Sequence, residues 1–262
     1  MTELNEKPKH RYDFKKSKRV ATDKLYASHP KFGTEQLETL PFEVDLRDQM
    51  PPVYDQGQLG SCTANAGCAA FEYDERAQQE IEGGIKPSRR FLYFIERELD
   101  NDINQDGGST LRTCISAIDQ FGICNEDLCP YSEADFAVKP SEEAYSQASQ
   151  HKGVNSFSLD QTLYQLHHCL AVNKRPFIFG TSIYESFESA EVAQTGVVPV
   201  PGFFEKRIGG HALCCVGYKP GYFIVRNSWG ATWGDGGYCY IPQSYMLDYR
   251  LTSDFWCLEK IV

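Results

Sequence analysis

The segment Gln56-Gly57-Gln58-Leu59-Gly60-Ser61-Cys62 combines a glycine-rich loop with a cysteine at the expected start of a helix. Ser61 is a good N-cap, and the pattern behind it predicts a helix from Cys62 to about Ile81, closed by Gly83-Gly84. A thiol in a first helical turn faces unpaired backbone N–H groups and the positive end of the helix dipole. Both favour thiolate over thiol and make the sulfur a better nucleophile. Gln56 stands upstream in the loop, where its side-chain amide could donate to a developing oxyanion. Downstream, Gly209-Gly210-His211 places a histidine at the start of a predicted strand, and Asn227-Ser228-Trp229-Gly230 follows the next strand. A hairpin brings His211 and Asn227 side by side, so the amide can hold one imidazole nitrogen and aim the other at Cys62. Trp229 and Trp233 are suited to shield that pair from water. A lone cysteine is more often a buried core residue; the combination of Cys62, His211, Asn227 and Gln56 outweighs that reading.

These residues need two kinds of support. Ser88 predicts a helix with an apolar stripe of Phe91, Leu92, Ile95 and Leu99. Ser109 predicts another, with Gly122 as its stop, and Asp160 a shorter one. After Pro176 the pattern changes to strands at 177–179, 211–218, 222–226 and 237–241, with Lys219-Pro220-Gly221 as a turn. Helices early and strands late predict an α+β fold with a cleft between a helical and a sheet part.

The sequence resembles the papain-like cysteine peptidases from about Pro41 to the C-terminus. The Gln six residues before the Cys, the strand-borne His and the block Asn-Ser-Trp-Gly-x-x-Trp-Gly-x-x-Gly-Tyr, here Asn227 to Tyr238, carry the resemblance. His211 and Asn227 lie 149 and 165 residues after Cys62, close to the spacing known for such enzymes. The resemblance implies a two-lobed fold with a mainly helical lobe at about 41–150, a barrel-like sheet lobe at about 151–262, and the active-site cleft between them. It implies a cysteine endopeptidase acting through a thioester on protein or peptide substrates. A transferase passing the acyl group to an amine, or a silent binding protein on the same fold, is the alternative. It also assigns Gly107-Gly108 to the edge that pairs with substrate backbone and Gly180 and Gly209 to a side-chain pocket. Gly210, Trp229 and Trp233 complete the substrate-binding set, with Asp254 near the pocket floor. The chain departs from the family at Leu59, where an anchoring cysteine is usual, at Thr63, where an aromatic is usual, and at Gly210, where plant papains carry a carboxylate. These departures point to a divergent microbial or viral branch.

The charge is asymmetric. Residues 1–33 hold nine Lys or Arg against four Asp or Glu, whereas the whole chain has a net charge of −10. Residues 1–40 are therefore read as a basic arm lying against an acidic body, either a short pro-segment blocking the cleft or a plain tail. The net negative charge argues against nucleic acid as a partner, and no apolar run reaches the length of a membrane span. Ten cysteines without a secretory signal suggest a reducing compartment and buried thiols. Asp102-x-Asn104-x-Asp106-Gly107 matches half a calcium loop, but Thr113 stands where a carboxylate is required. Cys124-x4-Cys129 lacks a second ligand pair. Neither a metal nor a cofactor is expected. His167-His168 sits on a helix, where one of the two is expected to face solvent.

Overall fold

The computed structural model describes residues 10–33, 35–78, 85–152 and 154–260. In chain order the helices are α1 (Cys62–Gln78), α2 (Arg89–Leu99), α3 (Leu111–Phe121), α4 (Glu142–Ala148), α5 (Leu163–Ala171), α6 (Ala190–Thr195) and α7 (Gln243–Met246). The strands are β1 (Val44–Asp45), β2 (Val154–Ser158), β3 (Phe177–Tyr184), β4 (Arg207–Lys219), β5 (Tyr222–Arg226), β6 (Tyr238–Pro242) and β7 (Thr252–Lys260). The fold is α+β, with α1, α2 and α3 packed on one another and a seven-stranded sheet, six strands of which come from residues 154–260. The sheet runs β2-β7-β3-β4-β5-β6, with β1 paired on β4, and every pair is antiparallel. Among the described residues no helix is long and apolar enough to cross a membrane.

The local chemistry explains the helix starts, with three corrections. The Ser61 hydroxyl, expected to cap α1, meets instead the Tyr131 hydroxyl and the Asn65 side-chain amide. Ser88 caps α2 as expected, its side chain accepting from Phe91 N, and the stripe of Phe91, Leu92 and Ile95 is buried. The cap of α3 is Thr110 rather than Ser109, whose hydroxyl turns instead to Asp100. The cap of α5 is Thr162 rather than Asp160, whose carboxylate is engaged by Arg19 and Gln165. Gly122 ends α3 with φ of 79°, a conformation that costs a side-chain-bearing residue energy. Helix α1 begins at Cys62 as read from the sequence; its expected Gly83-Gly84 stop lies outside the described residues.

Alanines 64, 66, 69 and 70 line α1 and are buried, which lets this central helix approach β4 closely. Behind β3, Phe177, Phe179 and Phe255 stack into an aromatic core, with Phe179 and Phe255 5.7 Å apart at 7°. The sheet is larger than the sequence pattern implied, because β2 and β7 intersperse charged and polar residues among the apolar ones. Both histidines of the 167–168 pair are buried, against expectation. His167 stacks on Tyr218 at 3.7 Å, and His168 Nδ1 lies 3.1 Å from the Tyr26 hydroxyl. His167 thus faces the sheet and His168 faces residues of the N-terminal segment, so both rings are covered.

That segment is ordered chain. Arg112 holds the Asp23 carboxylate at 2.5 and 2.7 Å, Ser158 N donates to Lys24 O at 2.8 Å, and His29 Nε2 lies 2.9 Å from Glu259 Oε1. Tyr26 has no exposed surface.

Candidate active site

Four elements converge where α1 meets β4. Cys62 sits in the first turn of α1, with its side chain fully buried. Its sulfur accepts the backbone N–H of Ala212, the residue next to His211 on β4, and that of Thr63. His211 Nε2 lies 2.9 Å from Asn227 Oδ1. The amide oxygen can only accept, so the imidazole donates from Nε2 and Nδ1 is left as the basic nitrogen. Nδ1 has no partner among the described residues. Asn227 is fixed in turn: Ser228 N donates to its Oδ1 at 2.8 Å, and its backbone N–H donates to Gly237 O at 3.0 Å. It follows directly on the last β4–β5 pair, Cys214 with Arg226, which accounts for its position near His211.

Gln56 is tied to the Asn227 loop. Its backbone N donates to Ser228 O at 2.9 Å, and Ser228 Oγ donates to its Oε1 at 2.6 Å. That bond settles the amide orientation and turns Nε2 toward Leu59 O at 3.0 Å, with a second N–H left for another acceptor. Trp229 stacks over His211 at 5.1 Å and meets Trp233 edge-on at 5.0 Å. Both indoles are largely buried, as expected for groups that exclude water from the imidazole.

The glycines assigned to substrate binding face one another across a groove, and residues 10–15 run along it. His10 stacks on Trp229 at 3.9 Å and 4°. Tyr12 packs on Gly209, and Gly210 N donates to Tyr12 O at 3.2 Å. Phe14 N donates to Gly210 O at 3.1 Å, and Lys15 N to Ser109 O at 2.9 Å. The Phe14 ring fills the space that a Cβ on Gly180 would need, and the Asp13 carbonyl fills that space at Gly108. Gly107 borders the Lys15 ammonium. Asp254 corrects the family-based placement. It receives Ser17 N at 2.7 Å and Ser17 Oγ at 3.1 Å, and lines a separate cavity, while Ser253 and Thr252 border Phe14.

This covering changes the electrostatics. The helix N-terminus favours a thiolate at Cys62, but burial outweighs it and pushes the thiol up to about 12. Burial also draws His211 down to about 4, against the opposing pull of Asn227. The covered site therefore holds neutral thiol and neutral imidazole. Beneath it lies a feature that sequence reasoning missed: Glu96, fully buried, accepts from Thr63 Oγ1 at 2.6 Å. Burial raises its carboxyl to about 8. The half calcium loop serves other purposes, with Asp102 paired to Arg97 and Asp106 accepting from Gly60 N and the Tyr93 hydroxyl.

The chain is similar to known proteins in both sequence and fold. The sequence profile of the papain family cysteine proteases matches residues 40–255. The chain is 39% identical to an uncharacterised peptidase C1-like protein of Acanthamoeba polyphaga mimivirus, over 93% of this chain and 81% of that one. It is 30% identical to peptidase 1 of Dermatophagoides farinae, over 77% of this chain and 60% of the relative. Among solved structures, xylellain, a cysteine protease from Xylella fastidiosa, superposes with a TM-score of 0.86 at 32% identity, covering 100% of both chains. The chain belongs to the papain family of cysteine proteases.

Proposed function

We propose that this protein is a cysteine endopeptidase with Cys62 as nucleophile and His211 as general acid and base, held closed by its own residues 10–16. The observation that carries the reading is the Asn227-held imidazole with an unpartnered Nδ1, on the strand whose next N–H meets the Cys62 sulfur. With substrate in place of the arm, His211 takes the Cys62 proton and the thiolate attacks the peptide carbonyl. The Gln56 amide and the Cys62 N–H hold the oxyanion. His211 then protonates the leaving amine and activates water to hydrolyse the thioester, and Asn227 keeps the ring oriented through both steps.

The arm divides by its contacts. Residues 10–15 lie on the groove glycines and Trp229, where a polypeptide substrate would lie. Residues 17–33 pack against Asp254, Asp160, Arg112, His168 and Glu259, away from the groove. In this reading the first part blocks the cleft and the second is a standing part of the domain. The test uses internally quenched peptides with the full chain and with a Phe14→Ala variant that loosens the block. Cleavage should be faster in the variant, and Cys62→Ala should abolish it in both backgrounds. Undiminished cleavage with Cys62→Ala overturns the assignment.

A further inference from the structure

Glu188, at the end of a short 3-10 turn (Glu185–Glu188) that follows β3, has no part in the chemistry described above. Its Oε1 accepts the Tyr12 hydroxyl and, at 3.3 Å, the His10 backbone N–H. Both donors belong to the stretch of arm that lies in the groove. The same turn supplies Phe187, which packs edge-on against Trp229 at 5.7 Å, so the carboxylate is anchored beside the indole. The free face of that indole is covered by the His10 imidazole, parallel at 3.9 Å. When the arm leaves the groove, a carboxylate stripped of these two donors and an uncovered aromatic face are exposed side by side.

We propose that Glu188 makes this position of the groove select a lysine or arginine side chain of the polypeptide substrate; the assignment rests on the peptidase reading above. The alkyl or guanidinium part of such a side chain lies on the Trp229 face, where the ring quadrupole attracts a cation. Its charged end meets Glu188 in a charge-assisted hydrogen bond. The arm itself shows the pattern, with a flat, polar ring on the indole and hydrogen-bond donors on the carboxylate. Burial and the neighbouring Glu188 both keep the Tyr12 phenol protonated and hence a donor. An apolar side chain would satisfy the indole and leave Glu188 without a partner, whereas an acidic one would be repelled.

The test compares kcat/KM of the full-length enzyme on internally quenched peptides. Lys, Arg, norleucine or Glu is placed in turn at each position from three before to three after the cut bond. A closed arm lowers kcat/KM for every peptide by the same factor, so the ratio between peptides is independent of it. Wild type should favour Lys or Arg over norleucine by about 10-fold or more at one position. Glu188→Gln should reduce that ratio to about 2-fold or less, and Glu188→Lys should shift it toward the Glu peptide. A wild type without such a preference, or one that keeps it in Glu188→Gln, overturns the assignment and leaves the peptidase reading intact. Failure of wild type and Phe14→Ala alike to cut any peptide removes the peptidase reading, and this assignment with it.

Discussion

His211 Nε2 and Asn227 Oδ1 are 2.9 Å apart, and this one contact decides which nitrogen of the imidazole can act as a base. Because the amide oxygen only accepts, the proton resides on Nε2 and the lone pair on Nδ1, the atom that exchanges a proton with Cys62 in the proposed mechanism. Ser228 N holds the amide oxygen and Gly237 O holds the Asn227 backbone N–H, so the ring inherits its orientation from backbone. Replacing Asn227 by Ala should lower kcat more than it raises KM. The loss should be about 10-fold or more, and Asn227→Gln should not restore it, since the longer side chain misplaces the acceptor. Steady-state kinetics on one peptide decide this; an unchanged kcat contradicts it.

Gln56 is held by Ser228 through its Oε1, which leaves its amide N–H groups for acceptors. An oxyanion donor is worth roughly 2.7–4 kcal/mol in the transition state. Gln56→Ala should therefore slow kcat by about 100-fold or more, with alkylation of Cys62 by a small reagent little changed. Equal loss in both measurements would mean that the substitution disturbed the thiol itself.

The grouping of Cys62, His211, Asn227 and Gln56 was legible in the sequence because chemistry restricts it: a glycine-flanked cysteine at a helix start, a strand histidine and a strand-end amide have few other uses together. The helix start at Arg89 was legible because Ser88 caps it, and the start at Cys62 was read at the right place although the Ser61 hydroxyl turns to Tyr131 and the Asn65 side chain. Ser109 and Asp160 misled because a second capping residue followed each of them, Thr110 and Thr162, and the side chain nearest the first free N–H prevails. Strands β2 and β7 were missed because their outward residues, such as Asn155, Asp254 and Glu259, break the apolar pattern; Asp254 and Glu259 bind the arm. The burial of both His167 and His168 was illegible because the rings that cover them are distant in sequence: Tyr218 lies 51 positions after His167, and Tyr26 lies 142 before His168. Glu96 gave no signal, because a single carboxylate in a helix reads as solvated until its burial is seen.

Tyr26 tests whether the arm is a removable tail along its whole length. It is fully buried, hydrogen-bonded to His168 and stacked on His29 at 5.3 Å. Truncating a buried aromatic costs about 3–5 kcal/mol, or roughly 2–4 °C of Tm per kcal/mol in a chain of this size. Tyr26→Ala should thus lower Tm by several degrees, and removal of residues 1–40 should do so even more. Removal of residues 1–16 should leave Tm nearly unchanged and raise activity. Thermal denaturation of the three proteins separates these outcomes; equal stability of all three would make the segment a plain tail.

Burial raises the Glu96 carboxyl from 4.5 to about 8, so the folded chain keeps a proton that the unfolded chain releases. Its contribution is intact below about 4.5 and is lost progressively as pH rises to about 8. Its surroundings are Thr63, Cys114, Arg97 and Asp100. Glu96→Gln preserves an acceptor for Thr63 Oγ1 and removes the ionisation. The Tm difference from wild type should grow from near zero at pH 4 to several degrees in favour of the variant at pH 8.5. A constant difference across that range contradicts the assignment of the buried charge.

The most direct measurement is the rate of Cys62 modification by iodoacetamide at about pH 5.5, followed by intact mass and peptide mapping, in the full chain and in the chain lacking residues 1–16. The account predicts slow labelling of the full chain, where the thiol is covered and held protonated. It predicts fast, single labelling at Cys62 in the shortened chain, where the imidazole can draw off its proton, while an ordinary thiol is only about 0.1% ionised. Equal rates in the two chains, or labelling of the shortened chain at cysteines other than Cys62, would contradict it.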